Sequence, residues 1–162
     1  YLAYFQDACK QPPSLDKLTA TFQILPKPYR QEVDFLLPYC RALSHYQAWD
    51  ALSRLLKPSL SKKLQDDLLW LYVTLPPQEE QLAFVKSLLK THPHAAMVHF
   101  CLGYLNLEAH LFGQARHYFE QSLAIQPHPR TYFYLGKALE LLAQPSEACA
   151  AYKQGLQGEV IA

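Results

Sequence analysis

The chain has 162 residues, half of them hydrophobic and 13% aromatic, with a formal net charge of +1. That length and apolar content suffice for a real core and exclude a disordered chain. The near-zero charge gives no electrostatic case for nucleic acid or an anionic membrane surface as partner.

The chain opens at Tyr1 in an apolar, helix-like run to Cys9, which reads as the end of a truncated helix in a fragment of a longer protein. Gln11-Pro12-Pro13 breaks that run. Ser14 is placed to cap a helix from Leu15 to about Ile24, stopped by Pro26 and Pro28. Residues 1–28 are therefore read as an N-terminal helical segment, and 29–162 as a helical-repeat domain. The next helix covers about Gln31 to Leu43, where Pro38 is expected to kink it or delay its regular part. Gln47 to Lys57 is its partner, with Ala51 and Leu55 toward it and Tyr39 facing them. Ser61 is placed to cap a helix over 64–75, which Pro76-Pro77 ends. Gln78 to Lys90 follows, with Gln81, Val85 and Leu88 on its inner face.

The segment from Ala96 to Pro127 then repeats. Gly103 to Gly136, Ala115 to Ala148 and Phe119 to Tyr152 are each 33 residues apart. Small residues at two of the three positions predict antiparallel helical hairpins in close contact, with the aromatic residue filling space toward the next hairpin. An ordinary bundle does not require small residues at this register. Leu102-Gly103, Ala115, Phe119 and Pro127 resemble a tetratricopeptide (TPR) repeat. The best copies are 96–128 and 129–158. The expected fold is all-α, a TPR-like α-α superhelix of about four stacked hairpins plus an N-terminal helix, with one concave face. No alternating strand pattern occurs.

Chemistry is sparse. Cys9, Cys40, Cys101 and Cys149 form no CxxC pair and lie in helical patterns, where cysteine acts as a small apolar residue. The seven histidines show no HExxH motif and no i,i+4 pair, so no metal site is expected. His92, Pro93 and His94 share a loop, and an exposed His92 or His94 could ligate haem iron; otherwise no cofactor is expected. No GxSxG, phosphate-cradling loop or catalytic cysteine context is present, so no catalytic residue is assigned and no enzyme is expected.

In a TPR array the first helix of each pair lines the binding face. Here that places Trp70, then Met97, Phe100 and Tyr104, then Arg130, Phe133 and Lys137, with Trp70 and Phe100 reading equally well as core residues, since an aromatic at helical spacing usually packs inward. Aromatic residues and arginine dominate interface energies, so protein partners are the expected ligands. The lysine and asparagine clamp of co-chaperone TPR domains is missing, since Phe100, Tyr104, Phe133 and Lys137 stand in its positions.

The segment 88–140 and the closing 150–156 resemble the proteobacterial HemY-like proteins, membrane-anchored TPR proteins associated with haem and porphyrin biosynthesis. His92-Pro93, Leu102-Gly103, Ala115-Arg116, Tyr118, Ser122-Leu123, Tyr152 and Gly155-Leu156 carry the likeness, with a similar stop at Leu25-Pro26. Phe112 departs from it, where tryptophan is usual. The resemblance implies a scaffold among haem-pathway enzymes. It also implies a soluble domain held at the bacterial inner membrane, on its cytoplasmic side, by an anchor outside this sequence. A generic adaptor for envelope assembly, or direct haem or porphyrin binding, are the alternatives.

Overall fold

The computed structural model describes residues 2–10, 14–77 and 79–161. Every regular element among them is helical. The chain divides into two compact units, Tyr1–Pro76 and Pro77–Ala162. The division falls between the two helices of the second predicted hairpin.

The first unit contains α1 (Leu2–Lys10), α2 (Leu15–Ile24), a 3-10 turn at Tyr29–Gln31, α3 (Val33–His45), α4 (Trp49–Lys62) and α5 (Asp66–Val73). Ser14 caps α2 as its sequence position predicts, accepting a hydrogen bond from the Lys17 N–H. At the other end of α2, Arg30 donates to the carbonyls of Gln23 and Leu25. A guanidinium there satisfies acceptors that a helix end leaves open. Helices α1 and α2 both pack on α3. Their core is aromatic. Phe5 touches Phe22 and Phe35, at ring separations of 6.0 and 5.7 Å. Tyr39 stacks flat on Phe22 at 3.9 Å.

Three sequence expectations fail in this unit, for identifiable reasons. The α3–α4 register is one residue off: Leu52 and Leu56 are fully buried, while Ala51 is exposed and Leu55 half-buried. Cys40, not Tyr39, takes the place that Gly103 takes later, because each is the eighth residue of its helix. Helix α4 also continues through Pro58 to Lys62. Ser61 therefore lies inside it, donating to the Lys57 carbonyl at 2.9 Å, and caps nothing. Pro38 does not break α3, but a 3-10 turn precedes the helix and regular structure starts only at Val33.

The second unit contains α6 (Glu80–Thr91), α7 (Ala96–Glu108), α8 (Phe112–Ile125), α9 (Pro129–Leu141) and α10 (Pro145–Ile161). Helices α7 and α8 form one hairpin, α9 and α10 the next, and α8 packs on α9. Prolines at the first positions of α9 and α10 cost no hydrogen bond there. On α6, Gln81, Val85 and Leu88 are buried as expected.

The glycines have a more specific role than helix proximity. A Cβ at Gly103 would lie 2.6 Å from two carbons of the Phe119 ring. At Gly136 it would overlap the Tyr152 ring. Each glycine is thus a slot for the aromatic side chain of its own hairpin. Ala115 and Ala148 are buried beside these slots. Burying a ring the size of Phe119 contributes about 1.5–3 kcal/mol. Ser122 ties the α7–α8 hairpin further, donating to the Ala96 carbonyl at 2.8 Å. Arg116 links α8 to the next hairpin, 2.8 Å from Gln144 Oε1 and 3.4 Å from Glu147.

The turns repeat as closely as the cores. Gln47, His110 and Ala143 are all left-handed, with φ of 56°, 60° and 58°. In each turn the left-handed residue and the one after it donate back into the helix end: His110 to Leu107 and Leu111 to Asn106, Ala143 to Glu140 and Gln144 to Leu139. Gln47 and Ala48 do the same to Ser44 and Leu43. This is a Schellman C-cap, usually made with glycine.

Candidate functional site

Helices α7 and α9 are the first members of successive hairpins, so their outer faces lie on the same side of the second unit. The side chains there come from positions that the sequence reading assigned to a binding face. Met97 is half-buried near the start of α7. Tyr104 is half-buried about two turns further on, and its ring meets that of Tyr134 edge-on at 5.5 Å. Phe133 is exposed and meets Tyr134 at 5.4 Å. The Lys137 ammonium sits 4.8 Å from the Phe133 ring centre and 5.5 Å from that of Tyr134. Arg130 is exposed at the start of α9.

Two of the expected face residues lie elsewhere. Phe100 is only 2% exposed. It packs against Phe119 and Tyr134, at 5.8 and 5.6 Å, so it supports the face from beneath and does not form it. Trp70 is on α5, in the first unit, and half-buried. The residue that the sequence reading missed is Tyr134. Its ring contacts Phe100, Tyr104, Phe119 and Phe133. An aromatic neighbour, Phe133, already held the expected position, and nothing in the spacing singled out the next residue as the hub.

The surroundings of the tyrosines keep their phenols in the neutral form. Burial, then Glu108 and Tyr134, raise the Tyr104 phenol above its ordinary pKa. Burial and Glu108 raise that of Tyr134, with Arg130 opposing. Burial and a hydrogen bond to Glu140 raise that of Tyr152. These phenols stay protonated and can donate to carbonyls or carboxylates. An apolar ring with a polar tip, beside a lysine held across two rings, suits peptide recognition.

The histidines are dispersed. His99 is buried, its Nε2 2.9 Å from the Pro93 carbonyl oxygen, so it braces the loop before α7. His128 caps α9, accepting from the Arg130 N–H. His92 lies 2.8 Å from Thr91 Oγ1 through Nδ1, and His94 is exposed. Among the described residues no group of three histidine, cysteine or acidic side chains could hold a metal ion. No helix there is long and apolar enough to cross a membrane.

No protein-family model matches the chain. Nor does any curated protein. Among solved structures the chain is similar to MamA proteins, which are TPR-like and all-helical. It is 19% identical to MamA AMB-1, with a TM-score of 0.64 over 100% of this chain and 99% of that one. It is 17% identical to MamA MSR-1, with a TM-score of 0.61 over 99% and 98%. It is 10% identical to MamA from Desulfovibrio magneticus RS-1, with a TM-score of 0.64 over 97% and 92%. Likeness at this identity is likeness of fold: the chain has an all-α, TPR-like fold along its length.

Proposed function

We propose that this chain is a non-enzymatic scaffold that holds protein partners on the outer face of α7 and α9. The cluster of Tyr104, Tyr134, Phe133 and Lys137 carries this reading. Rings of partial exposure, braced from below by Phe100 and crossed by a lysine, supply contact area at little cost in side-chain entropy.

The partners we propose are enzymes of haem and porphyrin biosynthesis, met at the bacterial inner membrane on its cytoplasmic side, with the parent protein anchored there. The likeness of residues 88–140 and 150–156 to HemY-like proteins supports this finer reading. The test is a pull-down from a proteobacterial membrane extract, comparing the chain with its Tyr104→Ala, Lys137→Glu variant. Haem-pathway enzymes captured by the first and lost from the second are the expected result. Equal capture by both removes the binding face. Capture of envelope-assembly proteins alone replaces the haem assignment with a general adaptor role.

Direct haem binding is a second reading. The contact between His92 Nδ1 and Thr91 Oγ1 favours it, because such a contact orients a ring and leaves Nε2 for a ligand. A haemin titration with no Soret shift, or with a shift unchanged in His92→Ala, His94→Ala, removes it.

A further inference from the structure

A recess of about 690 Å³ lies between the entry to α3 and the later part of α4, within the first unit. Its described walls all come from residues 31–65. The same place is filled in the α7–α8 hairpin. With Cys40 matched to Gly103, Leu55 matches Tyr118, and Arg54 and Pro58 match His117 and Gln121. The Tyr118 ring lies 6.4 Å from that of His99, and His117 and Gln121 meet at 3.0 Å. Helix α4 has a shorter side chain in place of the ring and a proline in place of the glutamine, and its surface there is concave.

The chemistry of the recess is one-sided. Between Asp50 and Asp66 every charged residue is basic: Arg54, Lys57, Lys62 and Lys63. Arg54, Lys62 and Lys63 line the recess and are exposed, against one carboxylate, that of Glu32. Lys62 is held at the rim by its 3.1 Å bond to Gln31 Oε1. The backbone and the serines add acceptors. Pro58 has no N–H, so the Arg54 carbonyl one turn earlier loses its helical donor. Ser59 and Ser61 donate to the carbonyls of Leu55 and Lys57, at 2.8 and 2.9 Å, which leaves their own oxygens able to accept.

We propose that this recess binds an extended, acidic peptide segment of a protein partner. Three cations in one recess call for carboxylates. A carbonyl and two hydroxyl oxygens call for N–H donors, which a peptide backbone carries at each residue and a phosphate group lacks. Leu55 and Pro58 give apolar contact to a side chain lying between the carboxylates. The site is a second contact surface, in the first unit, and does not depend on the α7–α9 face.

The probe is a short, fluorescein-labelled peptide of alternating glutamate and leucine, blocked at both ends. Fluorescence polarisation with the full chain at low ionic strength is expected to saturate, and to weaken as salt is added. Arg54→Glu, Lys63→Glu weakens binding at least tenfold, with a melting temperature near that of the parent because both side chains are exposed. Lys17→Glu, Lys86→Glu makes the same change of net charge elsewhere and leaves binding unaltered. Pro58→Ala returns an N–H to the Arg54 carbonyl, and weakens binding severalfold without lowering the melting temperature. Tyr104→Ala, Lys137→Glu leaves peptide binding unchanged, so a failure of either surface is read separately. No saturable signal overturns the proposal. So does equal weakening by the two charge-reversed pairs. Binding indifferent to Pro58→Ala overturns the peptide assignment and leaves attraction by charge alone. Cosedimentation with phosphatidylserine vesicles that is lost in Arg54→Glu, Lys63→Glu, with no peptide bound, overturns it too and makes a lipid surface the occupant.

Discussion

Gly103→Ala tests the packing argument at its narrowest point. The added methyl would sit 2.6 Å from two Phe119 ring carbons and 3.1 Å from a third. Phe119 has nowhere to retreat. It is fully buried, with Phe100 at 5.8 Å and Tyr134 at 6.2 Å. Overpacking of this kind costs about 1–3 kcal/mol. Replacing a mid-helix glycine by alanine returns about 0.5–1 kcal/mol. The expected net loss is about 1–2 kcal/mol, or a fall of about 2–8 °C in melting temperature for a chain of this size. Gly113→Ala is the internal control, since a Cβ there meets nothing within 4 Å. The same chemical change should leave that site unharmed or raise its stability by a few tenths of a kcal/mol. Urea denaturation of both variants, followed by circular dichroism, reads the difference. If Gly103→Ala is as stable as Gly113→Ala, the slot for the ring is not what holds the hairpin. A further check is Gly103→Ala with Phe119→Leu, whose combined loss should be smaller than the sum of the two.

The remaining predictions use the turns, a cross-helix bond and the cysteines. His110→Gly and Ala143→Gly should each stabilise by about 0.5–1 kcal/mol in the same urea assay, because both positions are left-handed. Ser122→Ala should cost about 1 kcal/mol, the net worth of its bond to the Ala96 carbonyl. Of the four cysteines only Cys149 is exposed, so a thiol reagent at neutral pH should label one equivalent at once and the rest only after unfolding. Burial pushes the Cys9 thiol up to about 11 and the Cys40 thiol up to about 12. The folded state therefore holds these protons more tightly than the unfolded state. The linked stability is complete below about pH 9 and declines as pH rises toward 11 and 12. Denaturation midpoints that stay flat over that range would contradict this burial.

How far the sequence could be read differs between the halves of the chain. Gly103, Ala115, Phe119 and their copies stand 33 residues apart, and a spacing kept by small residues is visible without coordinates. In the first unit the slot is filled by Cys40 and the facing positions by Leu52 and Leu56. Leucine and cysteine occur all along these helices, so nothing marked the register, and an alanine one residue away misdirected it. The turns were hidden for another reason. A left-handed C-cap normally shows itself as glycine, but here Gln47, His110 and Ala143 bear the strain, and only the closed hairpin makes them do so. Proline misled at Pro58, which lies inside α4 on its exposed side, where the burial of Leu56 and Leu60 on either side holds the helix together past it.

Local sequence by itself determined that the chain is helical, where most helices start and stop, and that hairpins recur at a set step. Those properties depend on neighbours within one or two turns: caps, prolines and apolar spacing. Which rings face a partner was decided only by packing. Phe100 and Phe133 are the same residue at the same repeat position, yet one is covered by the next helix and the other is open. That difference comes from what lies alongside in space, and no window of sequence contains it.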